Sequence, residues 1–185
     1  MAASLMVAGT ASHVGKSVVT TALCRILRQD GVRVAPFKSQ NMALNSAVCF
    51  DGSEIGRAQV AQAEAAGIAP SADMNPILLK PSGNNRMQVV LHGRVYGTMT
   101  AAEYYARKPF FLDEALQSFH RLADRFDVIV LEGAGGAAEV NLMDRDIVNL
   151  PFALAVRAKA VLVADIDRGG VFASIAGTFA LLDDE

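Results

Sequence analysis

The stretch Leu5-Met6-Val7-Ala8-Gly9-Thr10-Ala11-Ser12-His13-Val14-Gly15-Lys16-Ser17 decides how the rest of the chain is read. Leu5 to Ala8 is an apolar run with the character of a buried strand. Gly9 to Gly15 is a loop bounded by glycines, and Lys16-Ser17 opens a helix. A bound phosphate needs backbone N–H donors converging on one point, a cation, and a hydroxyl able to ligate Mg2+. Glycines let the backbone wrap closely, and the helix that follows offers its positive end. Lys16 would meet the β/γ-phosphates of a nucleotide and Ser17 would ligate the metal. The loop is a variant, because a strict pattern has glycine at position 10, where Thr10 stands, and Gly9 comes one residue early. Candidate nucleotide contacts are therefore Gly9, Thr10, Val14, Gly15, Lys16 and Ser17. The signal points to ATP or a similar nucleotide and is silent about the reaction.

Outward from this loop, short apolar runs alternate with helical patterns. A helix runs from about Lys16 to Gln29 and ends at Gly31, and Val32 to Phe37 reads as a second strand. Glu54 to Ala66 is Ala-rich and helical, stopped by Gly67 and Pro70. Met87 to Leu91 is a short strand after a Pro81–Asn85 loop. Residues 111–126 show the clearest helical spacing, in Leu112, Ala115, Leu116, Phe119, Leu122, Ala123 and Phe126. Val128 to Leu131 and Ala160 to Ala164 are strands, and Phe172 to Leu182 is a helix. This rhythm predicts an α/β fold, a mostly parallel sheet with helices on both faces. Ligands in such sheets bind beyond the carboxyl ends of the strands, so the loops after Ala8, Phe37, Leu131 and Ala164 are the places to search.

Composition narrows the class. At roughly 100–200 residues per domain, 185 residues make one domain. Hydrophobic residues are 52% and charged residues 19%, with a mean hydropathy of +0.29, which excludes intrinsic disorder and suits a sheet covered on both faces. The net charge of -2 provides no basic field for nucleic acid. No stretch reaches the roughly 18 uncharged apolar residues of a membrane span, and the most apolar window, Pro151 to Ala164, is broken by Arg157 and Lys159. The N-terminus lacks the basic region of a signal peptide. Cys24 and Cys49 lie far apart without a CxxC, which predicts two reduced thiols in a cytoplasmic protein and neither zinc nor a disulfide.

The other chemistry sits at strand ends. Glu132 ends a strand and is followed by Gly133-Ala134-Gly135-Gly136. A carboxylate there suits Mg2+ or a pairing with Lys16 or Lys38. Glu54, read as opening a helix, is either a second metal ligand or a complement to the helix dipole. Lys38 follows the second strand; it either neutralises an anionic substrate or acyl phosphate or is a solvated loop lysine. Asp144-Arg145-Asp146 and Asp165-Ile166-Asp167-Arg168 are acid–base clusters beside ligand loops, or internal ion pairs. His13, His92 and His120 share no metal or triad spacing.

The phosphate loop, Glu132 to Gly136 and Lys38 together resemble dethiobiotin synthetase and its relatives. Four longer runs resemble cobyric acid synthase more specifically: Ala35 to Ser46, Glu54 to Gln59, Met74 to Pro81 and Val163 to Phe172. The resemblance spans essentially the whole chain and implies a P-loop fold like that of dethiobiotin synthetase. It implies ATP- and Mg2+-dependent amidation of the b, d, e and g carboxylates of (adenosyl)cobyrinic acid a,c-diamide in cobalamin biosynthesis, with ammonia from a glutaminase (amidotransferase) domain. Carried onto this sequence, Lys16 would bind phosphate, Ser17, Glu54 and Glu132 would surround Mg2+, and Lys38 would stabilise the transferring group. Asp146, Gln40, Asn41 and Asn45 would handle the corrinoid. Gly136-Ala137 departs from the family's usual Ser-Pro, and Val140 from its Ile. Residues 1–185 then read as a synthetase domain cut short after its last helix, without the amidotransferase domain, and with a sheet edge exposed near Val161 to Ala164. Self-association is left open. Two other functions compete: ring closure with CO2 as in dethiobiotin synthetase, and a nucleotide-switched ATPase of the partition and septum-positioning class. The latter's second signature lysine would stand where this chain has Ala11.

Overall fold

The computed structural model describes residues 2–182. The chain passes through β1 (Ala3–Gly9), α1 (Lys16–Gln29), β2 (Val34–Phe37), β3 (Gln40–Met42), β4 (Ser46–Val48), β5 (Glu54–Gly56), α2 (Arg57–Ala66), β6 (Ile77–Pro81), β7 (Arg86–Leu91) and β8 (Arg94–Thr100). It continues through α3 (Ala101–Ala106), α4 (Lys108–Ala123), β9 (Val128–Glu132), α5 (Leu150–Ala155), β10 (Lys159–Val163) and α6 (Val171–Leu181).

A four-stranded parallel sheet has the order β10-β1-β9-β2. Its register places Leu5 beside Val130 and Lys159, and Val7 beside Glu132. The carboxyl ends of β1 and β9 therefore lie next to each other, with the phosphate loop leaving one and Glu132 ending the other. β2 is buried at all four positions, and Phe37 stacks on Phe152 of α5 at 5.3 Å with the edge of Phe119 from α4 at 5.6 Å. This aromatic cluster fixes the strand that presents Lys38.

A second four-stranded sheet, β3-β6-β7-β8, is parallel only between β3 and β6. Of its strands the sequence reading finds β7 alone. β3 is three residues long and largely polar, β6 runs into Pro81, and β8 carries the alternating, mostly exposed Arg94-Val95-Tyr96-Gly97. The missed signal is the two-residue turn His92-Gly93, both at positive φ (48° and 74°), a tight hairpin geometry. The helix expected from Glu54 begins at Arg57 instead. Glu54 to Gly56 pair antiparallel with Ser46 to Val48, so Glu54 stands on a strand ahead of the helix. Gly67 (φ 70°) closes α2 in the left-handed conformation, as its position suggests.

Among the described residues β10 pairs only with β1, and its first three residues, Lys159 to Val161, are exposed. Beside it α6 turns Phe172 and Phe179 to solvent. No described helix is long and apolar enough to cross a membrane.

Candidate functional site

Four side chains from three places in the chain meet at the end of the parallel sheet. Ser17 stands in the first turn of α1, Lys38 directly follows β2, and Glu132 ends β9. Glu132 is 2% exposed; its Oε1 accepts from the Lys38 ammonium at 2.7 Å and from the Ser17 hydroxyl at 2.9 Å. Its Oε2 accepts from the Gln62 amide of α2. A buried carboxylate is tolerable only with this kind of compensation. Of the readings open for Lys38, the solvated one is excluded, since the residue is 8% exposed and ion-paired.

Lys16, the fourth member, curls back over its own loop. Its ammonium donates to the carbonyls of Ala11 (2.8 Å) and Gly135 (2.6 Å). Burial depresses its pKa and the like charge of Lys38 adds to this, while Glu132 and Glu139 oppose both. Two glycines make this geometry possible. A Cβ on Gly9 would lie 2.8 Å from Val14 Cγ2 and 2.9 Å from the Lys16 nitrogen. Gly15 precedes the helix at φ 102°, a conformation that L side chains rarely adopt.

The glycine turn after Glu132 folds across the end of β1. Gly133 N–H donates to the Val7 carbonyl (3.0 Å) and Ala137 N–H to the Gly9 carbonyl (2.8 Å). Asn149 holds the turn from the far side. Its Oδ1 accepts from Ala134 N–H (2.9 Å), and its Nδ2 donates to the Ala134 carbonyl (2.8 Å) and to Asp146 Oδ2 (2.9 Å). Asp146 Oδ1 accepts from the N–H groups of Val148 and Asn149, so this carboxylate shapes the segment before α5.

Two adjoining cavities result. One, of about 590 Å³, is lined by Ser12, Lys16, Ser17, Lys38, Asn41 and Glu132, among others. Its neighbour, of about 240 Å³, is lined by Gln40, Tyr105, Glu139, Arg145 and Asp146; the two share Met42, Ala134 and Gly135. The Arg145 guanidinium lies over the Tyr105 ring at 5.1 Å.

Of the residues named from sequence, Lys16, Ser17, Lys38 and Glu132 come together, with Gly9 and Gly15 shaping their loop. Val14 packs towards Gly9, and Thr10 N–H donates to the Val163 carbonyl (3.0 Å), extending the β1–β10 pairing. Asn41 lines the larger cavity and Gln40 and Asp146 the smaller; Asn45 lines neither, and its carbonyl accepts from Arg57 N–H (3.2 Å). Glu54 is not among the residues lining either cavity. Its Oε1 accepts from the ammonium of Lys80 on β6 at 2.5 Å and also from the Ser46 hydroxyl. Burial pushes the Glu54 carboxyl upward, but the hydrogen bonds from Lys80 and Ser46 outweigh it and hold the group below its ordinary value. Glu54 is not a helix-start residue, because it stands on β5 ahead of α2. Gln62 and Asn149 are missed from sequence. Gln62 sits on an otherwise Ala-rich helix and Asn149 before an apolar Leu-Pro-Phe run, and a polar residue at a core-facing position is the only local sign of either.

The Ser17 hydroxyl and Glu132 carboxylate are hard oxygen donors beside a phosphate loop, a set that fits Mg2+. The arrangement can hold a nucleotide's phosphates and neutralise negative charge arriving from the neighbouring cavity.

A family model described as the CobQ/CobB/MinD/ParA nucleotide binding domain matches residues 5–184. The chain belongs to that family. Members of the CobQ/CobB/MinD/ParA family named cobyric acid synthase are similar to it from end to end. The protein of Caldanaerobacter subterraneus subsp. tengcongensis is 62% identical over 185 residues, covering 100% of this chain and 36% of its own length. That of Photorhabdus laumondii is 60% identical over 182 residues, 98% of this chain and 36% of its own. That of Clostridium tetani is 56% identical over 183 residues, 99% and 37%. The chain thus spans a little over a third of the length of these relatives. Among solved structures, the signal recognition particle receptor FtsY from Elizabethkingia anophelis superposes with a TM-score of 0.53 at 16% identity, over 99% of this chain and 48% of that one. The likeness is one of fold, a P-loop nucleotide-binding fold.

Proposed function

We propose that this chain is the ATP-using part of a cobyric acid synthase, amidating the b, d, e and g side-chain carboxylates of (adenosyl)cobyrinic acid a,c-diamide. The observation that carries the reading is the juxtaposition of two cavities. One is a phosphate loop with Lys16, Lys38, Ser17 and Glu132, and the other, opening beside it, has room for a substrate arm. The likeness of the whole of this chain to part of proteins of that name supports a corrinoid as the substrate class.

A carboxylate is a poor acyl donor, so the reaction must first give it a leaving group. One oxygen of the corrinoid carboxylate attacks the γ-phosphorus of ATP, the bond to the β–γ bridging oxygen breaks, and ADP leaves an acyl phosphate. Ammonia then attacks the acyl carbon and inorganic phosphate departs, giving the amide and losing a proton. Lys16 faces the phosphates. Lys38 neutralises charge on the transferring group or the entering carboxylate. Gly133 to Gly136, pinned by Asn149, form the wall between the two reactants. The protein's share is positioning and charge compensation. Mg2+, held by Ser17 and Glu132, would supply further neutralisation of the β- and γ-phosphate oxygens. Ammonia would come from glutamine through an amidotransferase domain.

The test is to incubate the chain with cobyrinic acid a,c-diamide, ATP, Mg2+ and an ammonium salt and to weigh the corrinoid. Stepwise replacement of acid groups by amides, abolished in Lys16→Ala, is the expected result. Consumption of ATP with a diamino acid and bicarbonate, and none with the corrinoid, would overturn the reading in favour of ring closure.

A further inference from the structure

Helix α2 passes behind the site and sends two glutamines, Gln59 and Gln62, into the protein. Both are 0% exposed, an unusual fate for this residue type. Neither has its amide fully satisfied. Gln62 Nε2 donates to Glu132 Oε2, and Gln59 Oε1 accepts from Asn41 Nδ2 at 3.1 Å; among the described residues Gln62 Oε1 and Gln59 Nε2 find no partner. Apolar residues of the same size would fill these positions without bringing unpaired amide atoms of their own, so the glutamines call for an explanation beyond packing.

We infer that Gln62 is a positioning residue for the cation-binding carboxylate. This rests on reading Ser17 and Glu132 as the Mg2+ donors. The two carboxylate oxygens of Glu132 have different surroundings. Oε1 takes both the Lys38 ammonium and the Ser17 hydroxyl, and Oε2 takes Gln62. The terminal torsion of a glutamate is soft and nearly two-fold, so the donors alone decide which way the carboxylate plane lies. With Gln62 fixed by burial on a helix, Oε2 is anchored on the side of α2 and Oε1 is held towards Ser17. Removing the Gln62 donor frees the plane to rotate and leaves Oε2 buried without a hydrogen bond. Outer hydrogen-bond partners of this kind typically change metal affinity about 10- to 100-fold. Gln59, one turn earlier on the same face, holds Asn41 on the wall of the larger cavity and does not touch Glu132.

The experiment is a Mg2+ titration of the binding of a fluorescent ATP analogue, with a thermal melt of each variant. Gln62→Met keeps the volume and removes the donor; it should raise the Mg2+ concentration at half-saturation about 10-fold. Gln62→Asn, which withdraws the donor by one methylene, should move it in the same direction and serves if the methionine variant folds poorly. Val60→Ala, which loosens the same helix where it packs against Cys49 and Ile55, should leave the Mg2+ half-saturation at the wild-type value even where it lowers the melting temperature. If Glu132→Gln raises the Mg2+ requirement and neither Gln62 variant does, the positioning role is wrong and the cation site stands. If Glu132→Gln also leaves it unchanged, the cation site itself is wrong. Equal shifts in the Val60 and Gln62 variants would reduce the effect to general loosening of α2 and overturn the inference.

Discussion

Replacing Gly9 with alanine should damage nucleotide binding far more than folding. The new Cβ would stand 2.8 Å from Val14 Cγ2, 2.9 Å from the Lys16 nitrogen and 3.0 Å from Lys16 Cδ. Those separations are too short for carbon, so something must move. The tip of Lys16 is the softest neighbour, and its departure breaks the hydrogen bonds to Ala11 and Gly135. Because the atoms displaced are the far end of a long, flexible side chain, the stability loss should stay near the low end of overpacking, about 1–2 kcal/mol. The effect on ATP is larger. A displaced Lys16 no longer meets the phosphates, and a hydrogen bond to a charged group contributes about 1.5–3 kcal/mol, or roughly 10- to 100-fold in affinity. The assay pairs urea unfolding with ATP titration, using Lys16→Ala as the reference for complete loss of the lysine. If Gly9→Ala bound ATP as the wild type does while Lys16→Ala did not, the placement of Lys16 against Gly9 would be refuted.

Other outcomes follow from the same geometry. Asn149→Ala leaves the Ala134 N–H buried without its acceptor and should cost about 2 kcal/mol in urea unfolding; corrinoid amidation should fall sharply while ATP affinity stays near wild type. Lys80→Met should lower stability at pH 7 by about 1 kcal/mol, since its partner Glu54 is only partly exposed. The Glu54 carboxyl is held below its ordinary value in the fold, so the contribution is complete above that ordinary value and lost as pH falls through the depressed one. Urea midpoints of wild type and variant should therefore converge as pH falls below the ordinary carboxylate range, and an unchanged gap there would contradict the pairing. Cys24 is fully buried and its thiol is pushed up to about 12 by that burial. It should resist alkylation at pH 8 in the native state and react once urea unfolds the chain, as read by peptide mass.

The parallel sheet was legible because its strands are continuous apolar runs, such as Val128 to Leu131, separated by helices with clear spacing. The residues of the nucleotide site were legible because they are tied to those strand ends. The second sheet was not. Its strands are short, half-polar or end in proline, and they are specified by pairing between β6, β7 and β8, which no local window contains. Glu54 shows the same limit. An acidic residue before an Ala-rich run reads as a helix start, but Arg57 N–H is taken by the Asn45 carbonyl and Glu54 by Lys80, contacts 12 and 26 residues away in sequence. Gln62 escaped because a glutamine in a helix is ordinary until the fold turns it towards a buried carboxylate.

The proposed activation of a corrinoid carboxylate by ATP, as an acyl phosphate in the cleft formed by Lys16, Lys38 and Glu132, leaves an isotopic trace. It is tested most directly by placing oxygen-18 in the corrinoid carboxylates, running the ammonia-driven reaction, and weighing the inorganic phosphate released. One labelled oxygen in the phosphate for every amide formed is the predicted result; amide product accompanied by unlabelled phosphate would contradict it.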